Sequence, residues 1–450
     1  MRSIVHRSLL ASTISFVAAC RSAPPPPVAP PVPLSDSATS ALQWVQGHAQ
    51  EFAIADSIPS STERARIVAL VGDAQIIGVS ELNEGTRELP NIIRRMIVSL
   101  GESAGLRGLA IQAPMAEALE VDRYVRTGVG DPRRLLSVMG SWRWENREML
   151  GVVAELRNWN RTHSADKQIG FYGFEIPSAA HAVRVVTGLP DSVAGAQLKA
   201  WLVREYGCVA MSEGAHWGLE GRSSDSTFWN RCGTVANAGV DSIVALRSRV
   251  GAGGAAADVA YAEQMARLIQ HHVSLSLRHT NRHDSNTEHL LYLANGLGRD
   301  AKLLAWGGDV EMGRLTLDKN TVQTGVPLGQ RLGARYRPIA FVFGDGVLRT
   351  RRASSGRGGA PAGLSDVRVM PPLPNTYEDI LIRSPMAAYW LDVRNLPSDL
   401  GGAWLRGPRS ARFITDLYLP EAPELTQTPL ELPTFFDALV YVRHVTPARQ

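Results

Sequence analysis

Short apolar runs recur along this chain with longer helix-patterned stretches between them, and that alternation narrows the fold more than any other feature. Residues 66–71 (RIVALV), 108–113 (GLAIQA), 168–174 (QIGFYGF), 302–306 (KLLAW), 338–343 (PIAFVF), 387–393 (AAYWLDV) and 438–442 (ALVYV) have the length and character of strands. Residues 38–55, 88–100, 116–126 and 146–160 read as helices. Strands separated by helices build an α/β architecture with a largely parallel central sheet flanked by helices. From about 180 to 299 no strand signal occurs. Apolar residues there recur at helical spacing, over 195–206 and 255–277, which predicts a helical insertion or lid. The glycines of 251–257 read as a joint, 354–363 as an exposed loop, and no internal repeat is present.

With 450 residues, 44% of them hydrophobic, the chain can bury a large core, which excludes a disulfide scaffold, a disordered tail and a coiled coil. The formal charge is only +4, and all but four of the 47 basic residues are arginine. Acidic residues are interspersed nearly everywhere, so the clustered basic patch that a nucleic-acid binder needs is missing.

The amino terminus reads as an address. Arg2 and Arg7 precede an apolar run over 9–19, too short to span a bilayer, and Val17-Ala18-Ala19 leads into Cys20. Small residues before a cysteine suit lipoprotein processing. Residues 1–19 are then a signal peptide, and Cys20 becomes an acylated amino terminus. The proline-rich stretch over 21–33 extends this into a tether (residues 20–37) for a domain over 38–450. The expectation is a cell-envelope protein, lipid-anchored and facing the periplasm or the exterior. Cys208 and Cys232 remain, and an oxidising compartment permits a disulfide between them. Two buried thiols are the alternative.

In an open α/β sheet, sites collect beyond the carboxyl ends of strands. The segment after the 66–71 run holds Asp73, Glu81, Glu84, Arg87 and Glu88. Gln112 ends the next run, and Asp309 and Glu311 follow the 302–306 run. Ser103, in GESAG, precedes its apolar run and is badly placed for a nucleophile elbow. No Walker or dinucleotide fingerprint is present. Trp142, Trp144, Trp217 and Trp229 suit either a pocket lining or core packing.

These segments together resemble the erythromycin esterase family. Ser80–Glu88 stands where the family has a GExxHGxxE-type motif. Glu117–Pro132 matches its EALxxxxYVxTGxGDP stretch, Trp142 and Trp144 its W-x-W, Phe171–Glu175 its FYGFD, and Trp306–Glu311 its W-A-H-N-x-H. Leu332–Gly346 and Phe436–Leu439 match later family stretches, so the resemblance runs from about 65 to 446. It implies an esterase-like fold in which histidines and glutamates activate water against an ester or lactone carbonyl.

The departures fall on the chemistry. Family histidines are replaced by Glu84, Gly308 and Glu311, and a family acid by Gln112. Only Glu81 keeps its type, with Arg87 and Glu88 beside it. Five of the eleven histidines lie within 271–289, where Arg282 and Glu288 match a family helix. His283 falls on its aspartate and His289 on its asparagine, and either could compensate as a base. Glu81, Glu84, Asp309 and Glu311 would also suit a hard divalent cation, although no metal or cofactor is required by the sequence. The leading expectation is a lipoprotein with a degenerate hydrolytic site that binds a small ligand or partner. An active ester or lactone hydrolase with a rebuilt or metal-assisted site, and a structural lipoprotein of an envelope assembly, are the alternatives.

Overall fold

The computed structural model describes residues 32–54, 58–177, 179–211, 226–251, 253–278, 282–316, 322–353 and 362–450, with only the backbone of 208–211. The leader, Cys20, nearly all of the proline-rich tract, most of the 354–363 loop, Trp217 and the side chain of Cys208 lie outside the described residues. So does the Cys208–Cys232 pairing; Cys232 itself is buried.

The chain enters through α1 (Asp36–His48) and β1 (Gln50–Glu51). Next comes α2 (Ser61–Val71), started by Ser60, whose hydroxyl accepts from the Glu63 amide. The expected strand over 66–71 is therefore helix. Ile67, Leu70 and Val71 are buried and lie at helical spacing, while Ala69, which a strand would share with Ile67 and Val71, is exposed. The strand follows as β2 (Ile76–Glu81), buried at every residue. Its Gly78 answers to crowding: a Cβ there would stand 2.6 Å from the Tyr336 hydroxyl.

Alternation then holds through α3 (Glu88–Ser103), β3 (Leu106–Pro114), α4 (Met115–Thr127), α5 (Pro132–Ser137), α6 (Arg147–Thr162) and β4 (Gly170–Glu175). The predicted insertion is α7 (Ala180–Thr187), α8 (Asp191–Ala194), α9 (Ala196–Met211), α10 (Ser226–Arg247), α11 (Gly254–Leu277) and α12 (Arg282–Leu297). Then come β5 (Lys302–Gly308), α13 (Gly325–Leu332), β6 (Tyr336–Arg352), β7 (Leu364–Val369), α14 (Tyr377–Ile382), β8 (Ala388–Asp392) and α15 (Leu400–Arg406). The chain finishes with β9 (Arg409–Arg412), β10 (Leu417–Tyr418), β11 (Gln427–Leu430), α16 (Leu432–Phe435) and β12 (Ala438–Val445).

The main sheet runs β1-β8-β12-β6-β2-β5-β3-β4, with β7 and β10 added along β6. From β12 to β4 every neighbouring pair is parallel; β8 and β1 join antiparallel at one edge. The fold is thus the expected α/β layering. The insertion has its own apolar core, which Met115 and Ala116 of α4 join to the body. Ser35–Gln450 forms one compact unit. No helix among the described residues is long and apolar enough to cross a membrane.

Candidate active site

The parallel strands present their carboxyl ends along one edge, and most of the residues singled out in the sequence gather there. Glu81 ends β2 directly beside Gly308, the last residue of β5. Glu81 is buried, accepts a hydrogen bond from Trp306 Nε1 at 3.1 Å and lies 3.7 Å from the Arg143 guanidinium. Burial pushes its carboxyl up to about 8; Arg143 opposes the shift and Glu84 adds to it. At neutral pH Glu81 is mostly protonated, a hydrogen-bond donor more than a base.

Glu84 is also buried and pairs with Arg143 Nε at 3.2 Å. Burial raises its carboxyl too, Arg143 pulls it back, and Asp309 and Asp416 push it up. The sequence reading missed Arg143, which lies in the turn before α6. Asn146 caps that helix, accepting from the Met149 amide at 2.9 Å, and donates to the Arg143 carbonyl at 2.7 Å. The Arg143 guanidinium lies over the Trp144 ring, 4.7 Å from its centroid, and Trp144 meets Trp306 edge-on at 5.0 Å. Trp144 is core packing, therefore, and it braces the cation. Trp142 turns aside to donate to Asp416 at 2.9 Å.

Gly308 fits this arrangement closely. A Cβ built there would lie 2.2 Å from Glu84 Oε1 and 2.8 Å from an Arg143 nitrogen. The place of a side chain at 308 is filled by the Glu84–Arg143 pair. Its backbone is engaged as well, since the Gly308 amide donates to Gln112 Oε1 at 2.8 Å. Gln112 reaches this point because the β3–β4 register slips between Ile111 and Pro114. Its amide donates onward to Glu175 at 3.2 Å, and Glu175 pairs with Arg282 at the start of α12.

Beyond β5 the backbone turns sharply. Asp309 sits at φ +49°, an unusual conformation for a side-chain-bearing residue, and its amide donates to the Glu81 carbonyl at 2.9 Å. Burial raises the Asp309 carboxyl. Glu311 is buried but well partnered: His283 Nδ1 at 3.1 Å, the Thr324 hydroxyl, and Asn286 Nδ2 at 3.4 Å. Burial alone would raise it. The His283 bond and charge, Thr324 and Arg282 outweigh that and hold it below its ordinary value. Glu311 in turn lifts His283 above the usual imidazole range, against burial and Arg282.

His283 therefore joins the cluster. His289, on another side of α12, bonds the Phe174 carbonyl at 2.7 Å and meets His271 edge-on. Arg87 pairs with Glu148 at 3.9 Å, and Glu88 accepts from Thr446. Asp73 follows α2 at the opposite end of β2. Among the described residues no group of three or more His, Cys, Asp or Glu side chains converges closely enough to hold a metal ion. Arg143 and His283 balance the acids instead.

Carboxylates gathered at the carboxyl edge of a parallel sheet, with a helical insertion alongside, define an esterase-like α/β protein. The chain belongs to the erythromycin esterase family, whose model matches residues 102–445. That span begins after β2, so the placement of Glu81 and Glu84 rests on the geometry above. Among solved structures the chain is similar to a Bacillus cereus protein, with a TM-score of 0.72 and 18% identity over 93% of this chain and 99% of that one. It is similar to a succinoglycan biosynthesis protein, at 0.72 and 16%, over 93% and 100%. An erythromycin esterase mutant in its open conformation matches at 0.56 and 13%, over 89% and 98%. At these identities the likeness carries the fold alone.

Proposed function

We propose that the protein is an envelope-tethered member of the erythromycin esterase family whose inherited water-activating route is closed, and whose cleft serves to bind a small ligand. The observation that carries this reading is the packing at Gly308: where the resemblance places an imidazole, the Glu84–Arg143 ion pair fills the space a side chain would need. Glu84 and Glu311 at two other histidine positions are engaged by Arg143 and His283, and Glu81 carries a proton at neutral pH. Carbonyl hydrolysis needs an unprotonated base and stabilisation of the oxyanion. Gly308 has no group to offer, Glu81 holds its proton, and the Glu84 and Glu311 carboxylates are taken up by Arg143 and His283. The tether part of the reading rests on Cys20 and the tract behind it.

The test is a time course with a macrolide lactone in metal-free buffer and with Mg²⁺, Ca²⁺, Mn²⁺ or Zn²⁺. No lactone turnover is expected, and neither Glu84→His nor Gly308→His alone restores it, because catalytic groups act as a unit. Metal-free lactone turnover that is lost on Glu81→Gln would overturn the closed-route reading, and turnover only with metal would favour a cation held by the carboxylates. Mass spectrometry of the mature amino terminus checks the tether: acylated Cys20 is expected, and an unmodified residue other than Cys20 refutes it.

A further inference from the structure

We propose that the helical insertion carries a second binding site, between α10, α11 and α12, for a saccharide bearing a carboxylate group. No residue of the strand-end cluster lines it. It therefore goes beyond the reading above, and either can fail without the other.

The site is a cleft of about 470 Å³ open to solvent, a volume suited to a ligand of one or two rings. One wall is aromatic. Tyr292 of α12 is 40% exposed, and the His271 ring of α11 stacks on it, with centroids 4.9 Å and planes 22° apart. Burial and the nearby Arg278 push His271 down to about 4, so at neutral pH the pair is an uncharged platform. His271 Nε2 is buried without a hydrogen-bond partner among the described residues, so the ring serves there by its faces and not by this nitrogen. His289, bonded to the Phe174 carbonyl, meets His271 edge-on and braces it.

The other lining groups are polar, and among the described residues none is acidic. Gln270 Nε2 donates to Asn237 Oδ1 at 2.8 Å, which holds the two amides together and leaves Gln270 Oε1 to accept and Asn237 Nδ2 to donate. An acceptor beside a donor matches neighbouring sugar hydroxyls. Arg267 binds Glu263 through Nε at 3.0 Å and Nη2 at 2.7 Å, leaving Nη1 for a ligand. Glu263 is also held by Arg247 at 2.8 Å, so two guanidinium groups share one carboxylate and a positive charge is left over. Arg267 stands near enough to Tyr292 to oppose the rise that burial gives its hydroxyl. Glu288, the acid that acts on His271, is itself paired with Arg331 at 2.6 Å. A flat uncharged platform takes the apolar C–H face of a pyranose, the amides take its hydroxyls, and the spare guanidinium edge takes a carboxylate. An aromatic acid would leave the amides unmatched, and a neutral sugar would leave the charge unmatched.

The experiment is isothermal titration calorimetry of the full chain with digalacturonate, cellobiose and benzoate at low salt. Saturable one-site binding of digalacturonate is expected, with cellobiose and benzoate each at least tenfold weaker. Tyr292→Ala and Arg267→Gln should each weaken digalacturonate at least tenfold, whereas Tyr292→Phe, which keeps the ring, should bind it like wild type. Tyr292 is at the surface, and Arg267→Gln leaves Glu263 its bond to Arg247, so both variants should keep the wild-type urea midpoint. No binding of digalacturonate overturns the proposal, as does binding that persists in the folded Tyr292→Ala and Arg267→Gln variants, since the sugar would then sit elsewhere. Cellobiose or benzoate bound as tightly as digalacturonate overturns the class of ligand assigned.

Discussion

At the scale of single residues, Gly308 and Glu81 make the sharpest claims. Gly308→Ala places a methyl group against Glu84 Oε1 and the Arg143 guanidinium, and overpacking of this kind costs about 1–3 kcal/mol. Shortening Glu84 to alanine in the same chain should recover part of that loss, so urea unfolding of the two single variants and the double variant should show clear non-additivity. Additive losses would mean that the space at 308 is not set by Glu84. Glu81 gives a pH signature. Its folded pKa, about 8, lies above the unfolded carboxylate value, so the folded state binds the extra proton between the two. The associated stability is complete below the unfolded pKa and drains away as pH rises toward 8, by at most about 1.4 kcal/mol per pH unit. Denaturation midpoints compared from pH 5 to 8 should fall more steeply for wild type than for Glu81→Gln. Equal slopes would place the Glu81 proton elsewhere. Gln112 and Glu311 were legible in the sequence because each ends or follows an apolar run, and Glu81 and Glu84 because Ser80–Glu88 stands where the family has its first motif. Arg143 was not, since nothing in its spacing ties residue 143 to residues 81 and 84; the signal available was indirect, in that buried acids without histidines require a cation.

At the scale of elements, the strands of the sheet's centre and far edge announced themselves, being short, apolar and bounded by turns. The exception shows the limit of that signal. RIVALV has the composition of a strand but belongs to α2, where the Ser60 cap and the 67-70-71 spacing decide, while the true strand β2 is disguised by Gly78 and Ser80. Both residues have tertiary reasons: Gly78 makes room for Tyr336, and the Ser80 hydroxyl accepts from the Met312 amide at 3.0 Å. Neither could be seen before the partner strand was known. The turn into α6 is where an element and the site are coupled. Asn146→Ala removes the helix cap and the hydrogen bond to the Arg143 carbonyl together. A loss of about 1 kcal/mol is expected from the cap. If Arg143 drifts as well, the Glu81 carboxyl loses its nearest cation and its pKa climbs further, which a carbonyl-region infrared titration would detect. A cap loss with no change in that titration would show that Trp144 alone holds the guanidinium.

At the scale of the molecule, the carboxyl-terminal residues act as a clasp over the site-bearing turn. Thr446 donates to Glu88 through both its amide and its hydroxyl, the Ala448 amide donates to the Gly85 carbonyl at 3.0 Å, and Arg449 holds Glu148 through its amide at 2.8 Å and Nε at 2.7 Å. Deleting residues 446–450 would strip hydrogen-bond partners from the buried carboxylates Glu88 and Glu148, and leaving a buried acceptor without its partner costs about 1–3 kcal/mol. A fall in the urea midpoint of the truncated chain checks this, and an unchanged midpoint would refute it. The same clasp has a bearing on biogenesis. Thr446 and Glu88 are 358 residues apart in sequence, and the sheet places β12 and β6 between β2 and the antiparallel strand β8. A ribosome must finish nearly the entire polypeptide before the turn holding Glu84 can close, and entropy makes such distant closures slow. Until β12 pairs with β6 and β8, the chain is therefore a long, unclosed intermediate with its central strands formed before the clasp that covers them.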